Sequence, residues 1–259
     1  EDVAKNMHFE KSSGVDFNRA GTPLMEIVTE PDMESPEEAF AFLTALRQIL
    51  VYGGISDCNL EQGNLRCDVN CSVRPEAQAE LGTKIEIKNM NTFKGVHRAL
   101  HYEIERQISV LGEGGTIQQE TRRWDDASGM TFSMRSKEYA HDYRYFPEPD
   151  LMPIALSHEQ VEEWKTELPE LPAHRHQRFM QEYGLPEYDA GVLVADKAVA
   201  DYYEDTARIS GNYKAVSNWI MTEMLRLLAE KQMEIREVQI TPQALADLIR
   251  LVEQKTLNM

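Results

Sequence analysis

The segment from Leu65 to Val73 alternates without a break. Leu65, Cys67, Val69, Cys71 and Val73 fall on one side of an extended chain, and Arg66, Asp68, Asn70 and Ser72 on the other. A helix cannot separate these two sets, because its period is near 3.6 residues rather than two. The pattern therefore demands a β-strand with one apolar and one polar face. Such a strand belongs to a sheet covered on one side, and clean alternation of this kind favours antiparallel pairing. Thr83 to Asn89 repeats the pattern, with Ile85 and Ile87 opposing Lys84, Glu86 and Lys88. Residues 116–124 and 130–135 read as two further strands around a hairpin loop at Asp125-Asp126-Ala127-Ser128-Gly129. No βαβ rhythm is evident, so the expectation is an antiparallel sheet with helices beside it.

The helices carry their own start and stop signals. Ser35-Pro36-Glu37-Glu38 sets an N-cap, a proline at the first helical position and the acidic residue of a capping box. Ala39, Phe40, Phe42, Leu43, Leu46, Ile49 and Leu50 then form a broad apolar stripe, ended by Gly53-Gly54. A second helix carries Val96, Leu100, Ile104, Ile108 and Leu111. From about residue 157 the pattern is nearly all helical. Ser157 is a cap, Leu168-Pro169-Glu170-Leu171-Pro172 a connector, and helices are expected near 158–167, 172–183, 187–195, 197–208, 212–231 and 242–256. In the fifth of these, Met221, Leu225 and Leu228 continue the stripe begun by Trp219 and Ile220. Thr241-Pro242 opens the last one. The fold class is α+β: a domain built on an antiparallel sheet over 1–156, followed by an all-α domain.

Composition bounds the function. A chain of 259 residues with 42% hydrophobic and 27% charged residues is an ordinary globular sequence of about two domains. Its net charge of -17 excludes a generally basic nucleic-acid binder, though not a local basic patch. No run of about 18 apolar residues is present, so no membrane span is expected. Cys58, Cys67 and Cys71 are odd in number and lack metal-knuckle spacing, which fits reduced thiols and a cytoplasmic setting. The opening EDVAKNMH has neither an initiator Met nor an apolar leader, the look of a fragment or processed piece.

Two places could carry chemistry. The Arg66/Asp68/Asn70/Ser72 face is either a solvated sheet face or the floor of a cleft. As a cleft floor, Asp68 would be a hard oxygen ligand for Mg²⁺ and Arg66 a phosphate contact. Glu26 lies in Thr22-Pro23-Leu24-Met25-Glu26-Ile27-Val28-Thr29, a strand-like, mostly apolar run. A carboxylate there is expected to meet either a metal or a basic partner. Glu86 and Lys88 add a carboxylate and a cation to one strand face, with an ordinary ion pair the favoured reading. The aromatic, charged run 142–150 is extended because of Pro147 and Pro149. His97 and His101, four apart on a helix, have no third ligand in reach of local spacing and read as surface or packing residues. There is no P-loop, no GxGxxG opening a helix, no GxSxG elbow and no HExxH pair.

The motifs carry more than their spacing. Val15 to Val28 (VDFNRAGTPLMEIV), Gly63 to Ser72 (GNLRCDVNCS), Ile85 to Phe93 (IEIKNMNTF), Glu120-Thr121-Arg122, Ser133 to Glu138 and Asp142 to Leu151 (DYRYFPEPDL) closely resemble signature segments of the B subunits of the aspartyl/glutamyl-tRNA amidotransferase, GatB. Leu168 to Pro172 and Asn218-Trp219-Ile220 resemble that family's helical region. The likeness runs in order along nearly the whole chain.

The resemblance implies a cradle-shaped catalytic domain, here residues 1–156, a helical domain over 157–240, and the start of a tail domain at 241–259. It implies ATP- and Mg²⁺-dependent phosphorylation of the side-chain carboxylate of Glu or Asp misloaded on tRNA-Gln or tRNA-Asn. Amidation follows, by ammonia from the family's glutaminase subunit, with its small third subunit the other protein partner. Glu26 and Asp68 match acidic positions at the family's metal site. Arg66, Lys88 and Glu86 are weaker candidates for nucleotide or substrate contacts, and Arg19 and Asn70 weaker still. Glu1-Asp2 resembles the end of a family acidic segment, and the family's earlier part is absent, so the chain alone is expected not to amidate tRNA. The competing reading is a non-catalytic scaffold subunit that only positions tRNA, or a generic ATP-dependent carboxylate ligase.

Overall fold

The computed structural model describes residues 5–9, 12–18, 21–60, 62–136 and 152–257. Arg19, Glu1-Asp2 and the 142–151 run lie outside the described residues, as do the side chains of Arg135 and Ser136. The chain divides into two compact units, Glu1–Glu34 and Ser35–Met259, and each is described by itself.

In the first unit, β1 (Lys5–Phe9) and β2 (Ser12–Asp16) pair as an antiparallel ribbon, with Met7 opposite Gly14. The run from Thr22 to Thr29, expected to be strand-like, forms no strand and is exposed along its length. It joins no sheet ladder among the described residues, and apolarity in the sequence does not by itself create one. Leu24, Met25, Ile27 and Val28 are all open to solvent.

The second unit begins with α1 (Pro36–Tyr52). Ser35 Oγ accepts the Glu38 N–H at 3.1 Å, and Gly53 follows the last turn. Next come β3 (Val69–Cys71), β4 (Ile85–Lys88), α2 (Phe93–Gly112), β5 (Glu120–Asp125) and β6 (Met130–Ser136). They form one sheet in the order β3-β4-β5-β6. β3/β4 and β5/β6 are antiparallel, and the hairpin turn falls at 126–129 as the sequence suggests. The α+β class stands, but β4 and β5 run parallel. With α2 between them they make a βαβ crossover, which the alternation did not reveal. Alternation reports which faces are wet. It does not report strand direction, and here α2 covers one face of the sheet and leaves the other open. The ladder of β3 is also only three residues long, so most of the alternating run 65–73 lies outside the ladder.

The covered face is dry. Ile85, Ile87, Trp124, Val96 and Ala99 are almost wholly buried and form one core cluster with Leu43 and Leu100. Along α2 the burial departs from the expected stripe. Ile108 and Leu111 are exposed, while Glu103 and Gln107 are fully buried. The sheet beneath presents Arg122 there, so a carboxylate at position 103 fits better than an alkyl group.

The remaining chain is helical: α3 (His158–Glu167), α4 (Pro172–Glu182), α5 (Glu187–Val194), α6 (Lys197–Ser210), α7 (Tyr213–Trp219), α8 (Leu225–Lys231) and α9 (Pro242–Glu253). Ser157 forms a full capping box with Gln160, and Thr241 Oγ1 accepts the Ala244 N–H at 3.2 Å. The expected single helix over 212–231 contains a π-turn, Ile220–Met224. A wider i→i+5 turn holds Val216, Ile220, Met224 and Leu228, spaced four apart, on the buried side. Their cluster includes Phe179, Leu193, Tyr203 and Ile249, and it reaches back to Tyr52 at the end of α1. The Tyr52 hydroxyl donates to the Val194 carbonyl at 2.8 Å, tying the first helix to the helical body. Cys58, Cys67 and Cys71 are free thiols. Burial pushes the Cys67 and Cys71 thiols up to about 11, as expected of inert core cysteines. Among the described residues no helix is long and apolar enough to cross a membrane.

Candidate functional site: the open face of the sheet

The open face is built by register. Val69 pairs with Ile87 and Asn70 with Glu86 on the β3/β4 side, while Glu86 pairs with Thr121 and Lys88 with Arg123 on the β4/β5 side. Continuing the antiparallel register by one residue sets Asp68 opposite Lys88. Two polar rows therefore cross the sheet, Asn70–Glu86–Thr121 and Asp68–Lys88–Arg123. The apolar residues between them point the other way, into the core.

Lys88 is the hinge of this patch. Its Nζ forms an ion pair with Asp68 Oδ2 and lies 3.4 Å from Glu86 Oε1. The second carboxylate oxygen of Glu86 accepts from Thr121 Oγ1 at 2.7 Å. Partial burial alone would lower the Lys88 ammonium, but the Asp68 hydrogen bond and charge, together with Glu86, outweigh it and hold the group charged above its usual range. The Asp68 side chain is half exposed and Glu86 is more enclosed. Two carboxylates converging on one cation, over a rigid dry sheet, form a donor set suited to a hard cation and phosphate oxygens. The favoured sequence reading of Lys88, an ion pair, describes its contacts. The convergence of Asp68, Glu86 and Lys88 in one patch was not legible in spacing alone, because 68 and 88 meet only through the ladder.

Arg66 lies exposed at the head of the alternating segment, and Asn70 is exposed on the same side. Glu26 is exposed in the first unit, whereas Asp68, Glu86 and Lys88 belong to the second. One acidic residue escaped sequence reasoning. Glu37, in the first turn of α1, accepts from or faces the Nε2 atoms of both His97 and His101 on α2, at 3.0 Å each. No local signal could find it, because the residues lie far apart in sequence.

A polar sheet face backed by a crossover helix, with a helical body joined to it, defines an α+β domain with an α-helical extension. Residues 1–162 match the GatB/GatE catalytic domain and residues 201–259 the GatB domain. The chain belongs to the GatB family. It is 54% identical over 260 residues to the B subunit of the aspartyl/glutamyl-tRNA(Asn/Gln) amidotransferase from a Thermoanaerobacter strain, covering 100% of this chain and 54% of that protein. The same-named proteins of Caldicellulosiruptor saccharolyticus and Thermodesulfovibrio yellowstonii are each 52% identical over all of this chain, and it covers 55% and 54% of them. The chain thus spans about half the length of the curated relatives it matches.

Proposed function

We propose that this chain carries part of the ATP- and Mg²⁺-dependent kinase centre of a GatB-type tRNA amidotransferase. The reading is supported by family membership and carried by one observation: Asp68, Glu86 and Lys88 meet on the open face of the sheet. The overall reaction converts misloaded Glu-tRNA(Gln) or Asp-tRNA(Asn) to the amide. A carboxylate resists amidation because oxide is a poor leaving group. Transfer of the γ-phosphoryl group cures this: the P–O bond to ADP breaks and a new P–O bond to the side-chain carboxylate forms. Ammonia then attacks the acyl carbon, the C–O bond breaks, phosphate leaves with the electron pair, and the attacking nitrogen loses a proton.

The chain's residues would act by position and charge. Asp68 would supply a carboxylate oxygen for Mg²⁺, with Glu86 beside it, and Glu26 is kept as a candidate ligand by the family resemblance alone. Held there, Mg²⁺ would supply charge neutralisation and alignment for crowded phosphate oxygens. Lys88, held cationic by its carboxylate neighbours, offers a point charge to a phosphate, and Arg66 a forked donor. Ammonia comes from the glutaminase partner. In this reading the tail domain and the partner subunits share the docking of tRNA, which a chain of charge -17 does not favour by itself.

The test is calorimetry of ATP with Mg²⁺ on the full-length protein in complex with its partners, comparing parent, Asp68→Asn and Glu26→Gln. Each substitution is expected to weaken nucleotide binding by about tenfold or more, the scale of one lost charge-assisted contact. Binding that ignores both substitutions would remove the kinase assignment from these residues and leave the scaffold reading ahead.

A further inference from the structure

We propose a metal site, independent of the kinase reading, in which Glu37, His97 and His101 hold a zinc-class divalent ion between α1 and α2. His97 and His101 stand one turn apart on α2, so their imidazoles share a face. Their ring centroids are 4.6 Å apart. Both Nε2 atoms lie 3.0 Å from the same oxygen, Glu37 Oε1, and the three donor atoms all fall within 4.8 Å of one another. A tetrahedral ion about 2.0–2.2 Å from each ligand needs donor separations of about 3.4 Å. The two Glu37–histidine separations, 3.0 Å each, fall about 0.4 Å short of that requirement.

The supports are fixed from both helices. Glu37 follows the Ser35 cap and Pro36, so its position is set by the first turn of α1. His97 packs edge-on against Phe40, with ring centroids 6.1 Å apart, which limits its rotation. Glu37 Oε1 has lone pairs for both imidazole N–H groups, and the same convergence gathers three donor atoms that one ion could bridge in place of those protons.

The donor set selects the ion. Two imidazoles and one carboxylate suit zinc and its neighbours, whereas Mg²⁺ prefers oxygen ligands and retained water. Three protein ligands leave a fourth position open. His97 also lines a cleft of about 360 Å³ together with Phe40, Lys94 and Arg98, which has room for water or an exchangeable anion. Arg98 in turn is engaged by Asp126 at 3.1 Å. Because α2 is the crossover between β4 and β5, an ion tying it to α1 would brace the helix behind the sheet.

The test uses the full chain, stripped of metal, titrated with Co²⁺ and then Zn²⁺ in excess Mg²⁺. One equivalent of Co²⁺ is expected to produce the intense visible bands of a four-coordinate site, and Zn²⁺ to displace it. His101→Asn and Glu37→Gln, each verified as folded by circular dichroism, should lower zinc affinity by about tenfold or more, the scale seen when a metal site loses a supporting group. His158→Asn, on exposed α3, should change nothing. A weak octahedral spectrum, sub-stoichiometric binding, or zinc affinity that survives both substitutions would overturn the site.

Discussion

Glu103 has no side-chain surface open to water, yet it is charged chemistry inside a hydrophobic cluster. It survives because partners surround it. Arg106 reaches it at 2.7 Å, Thr131 Oγ1 and Gln107 Nε2 at 3.0 Å each, and Arg122 Nε at 3.5 Å from the strand beneath. Arg122 keeps Glu120 and Thr131 as partners, so removing the carboxylate deprives Arg106, Gln107 and Thr131 of the acceptor they share. Glu103→Ala is therefore expected to destabilise the fold by about 3–5 kcal/mol in urea denaturation, the cost of breaking a buried pair from one side. Glu105→Ala, on the exposed side of the same helix, should stay within about 0.5 kcal/mol. A loss at Glu103 no larger than at Glu105 would show that Arg106, Gln107 and Thr131 find other partners. The contrast with Lys88 is informative. Its pairing with Asp68 is half exposed, so its contribution to stability is small, and its value lies in placing charge on the open face.

At the scale of elements, what was legible is what is local. The caps at Ser35, Ser157 and Thr241 each bond within the next three residues, and all three helices begin where those residues place them. Ser35→Ala should accordingly cost about 1 kcal/mol and Ser35→Gly only a few tenths, read by thermal or chemical unfolding. Equal losses for the two would mean that the serine side chain caps nothing of consequence. What was not legible is what is relational. The alternating run 65–73 correctly separated Cys71 and Val69 from Asp68 and Asn70, but the parallel β4/β5 pairing depends on α2 crossing between them. The expected strand around Glu26 failed for the same reason: a strand-like pattern becomes a strand only by joining a ladder. The site followed this division. Asp68, Glu86 and Lys88 could be named individually from the sequence, whereas their meeting, and the meeting of Glu37 with His97 and His101, required strands and helices remote in sequence to be set side by side.

Across the whole molecule, acidic excess has to be reconciled with a packed helical body, and Glu204 shows how. Arg175 and Arg178 from α4 each donate to it at 2.8 Å, Tyr183 at 2.9 Å and Arg208 at 2.6 Å. Arg175 also reaches Asp201, and its guanidinium lies over the ring of Tyr52 from α1. The hub thus joins α4 and α6 to the helix that carries the sheet domain. Burial alone would raise the Glu204 carboxyl, but hydrogen bonds from Arg178 and Tyr183, the charge of Arg178 and the Arg175 contact outweigh it and hold the group at about 2, against an ordinary 4.5. A carboxyl whose folded value is depressed binds its proton more readily when unfolded. Its stabilisation is therefore fully present above the ordinary value and drains away as pH falls toward the folded one. The stability gap between the parent and Glu204→Gln, measured by denaturant unfolding across pH, should be flat from about pH 8 to about pH 5. It should then narrow steadily on the way to about pH 2. A gap that held its neutral-pH size at about pH 3 would show that the arginines stabilise this position by shape and hydrogen bonding that glutamine shares, and that the charge of Glu204 is not what joins the helical body to α1.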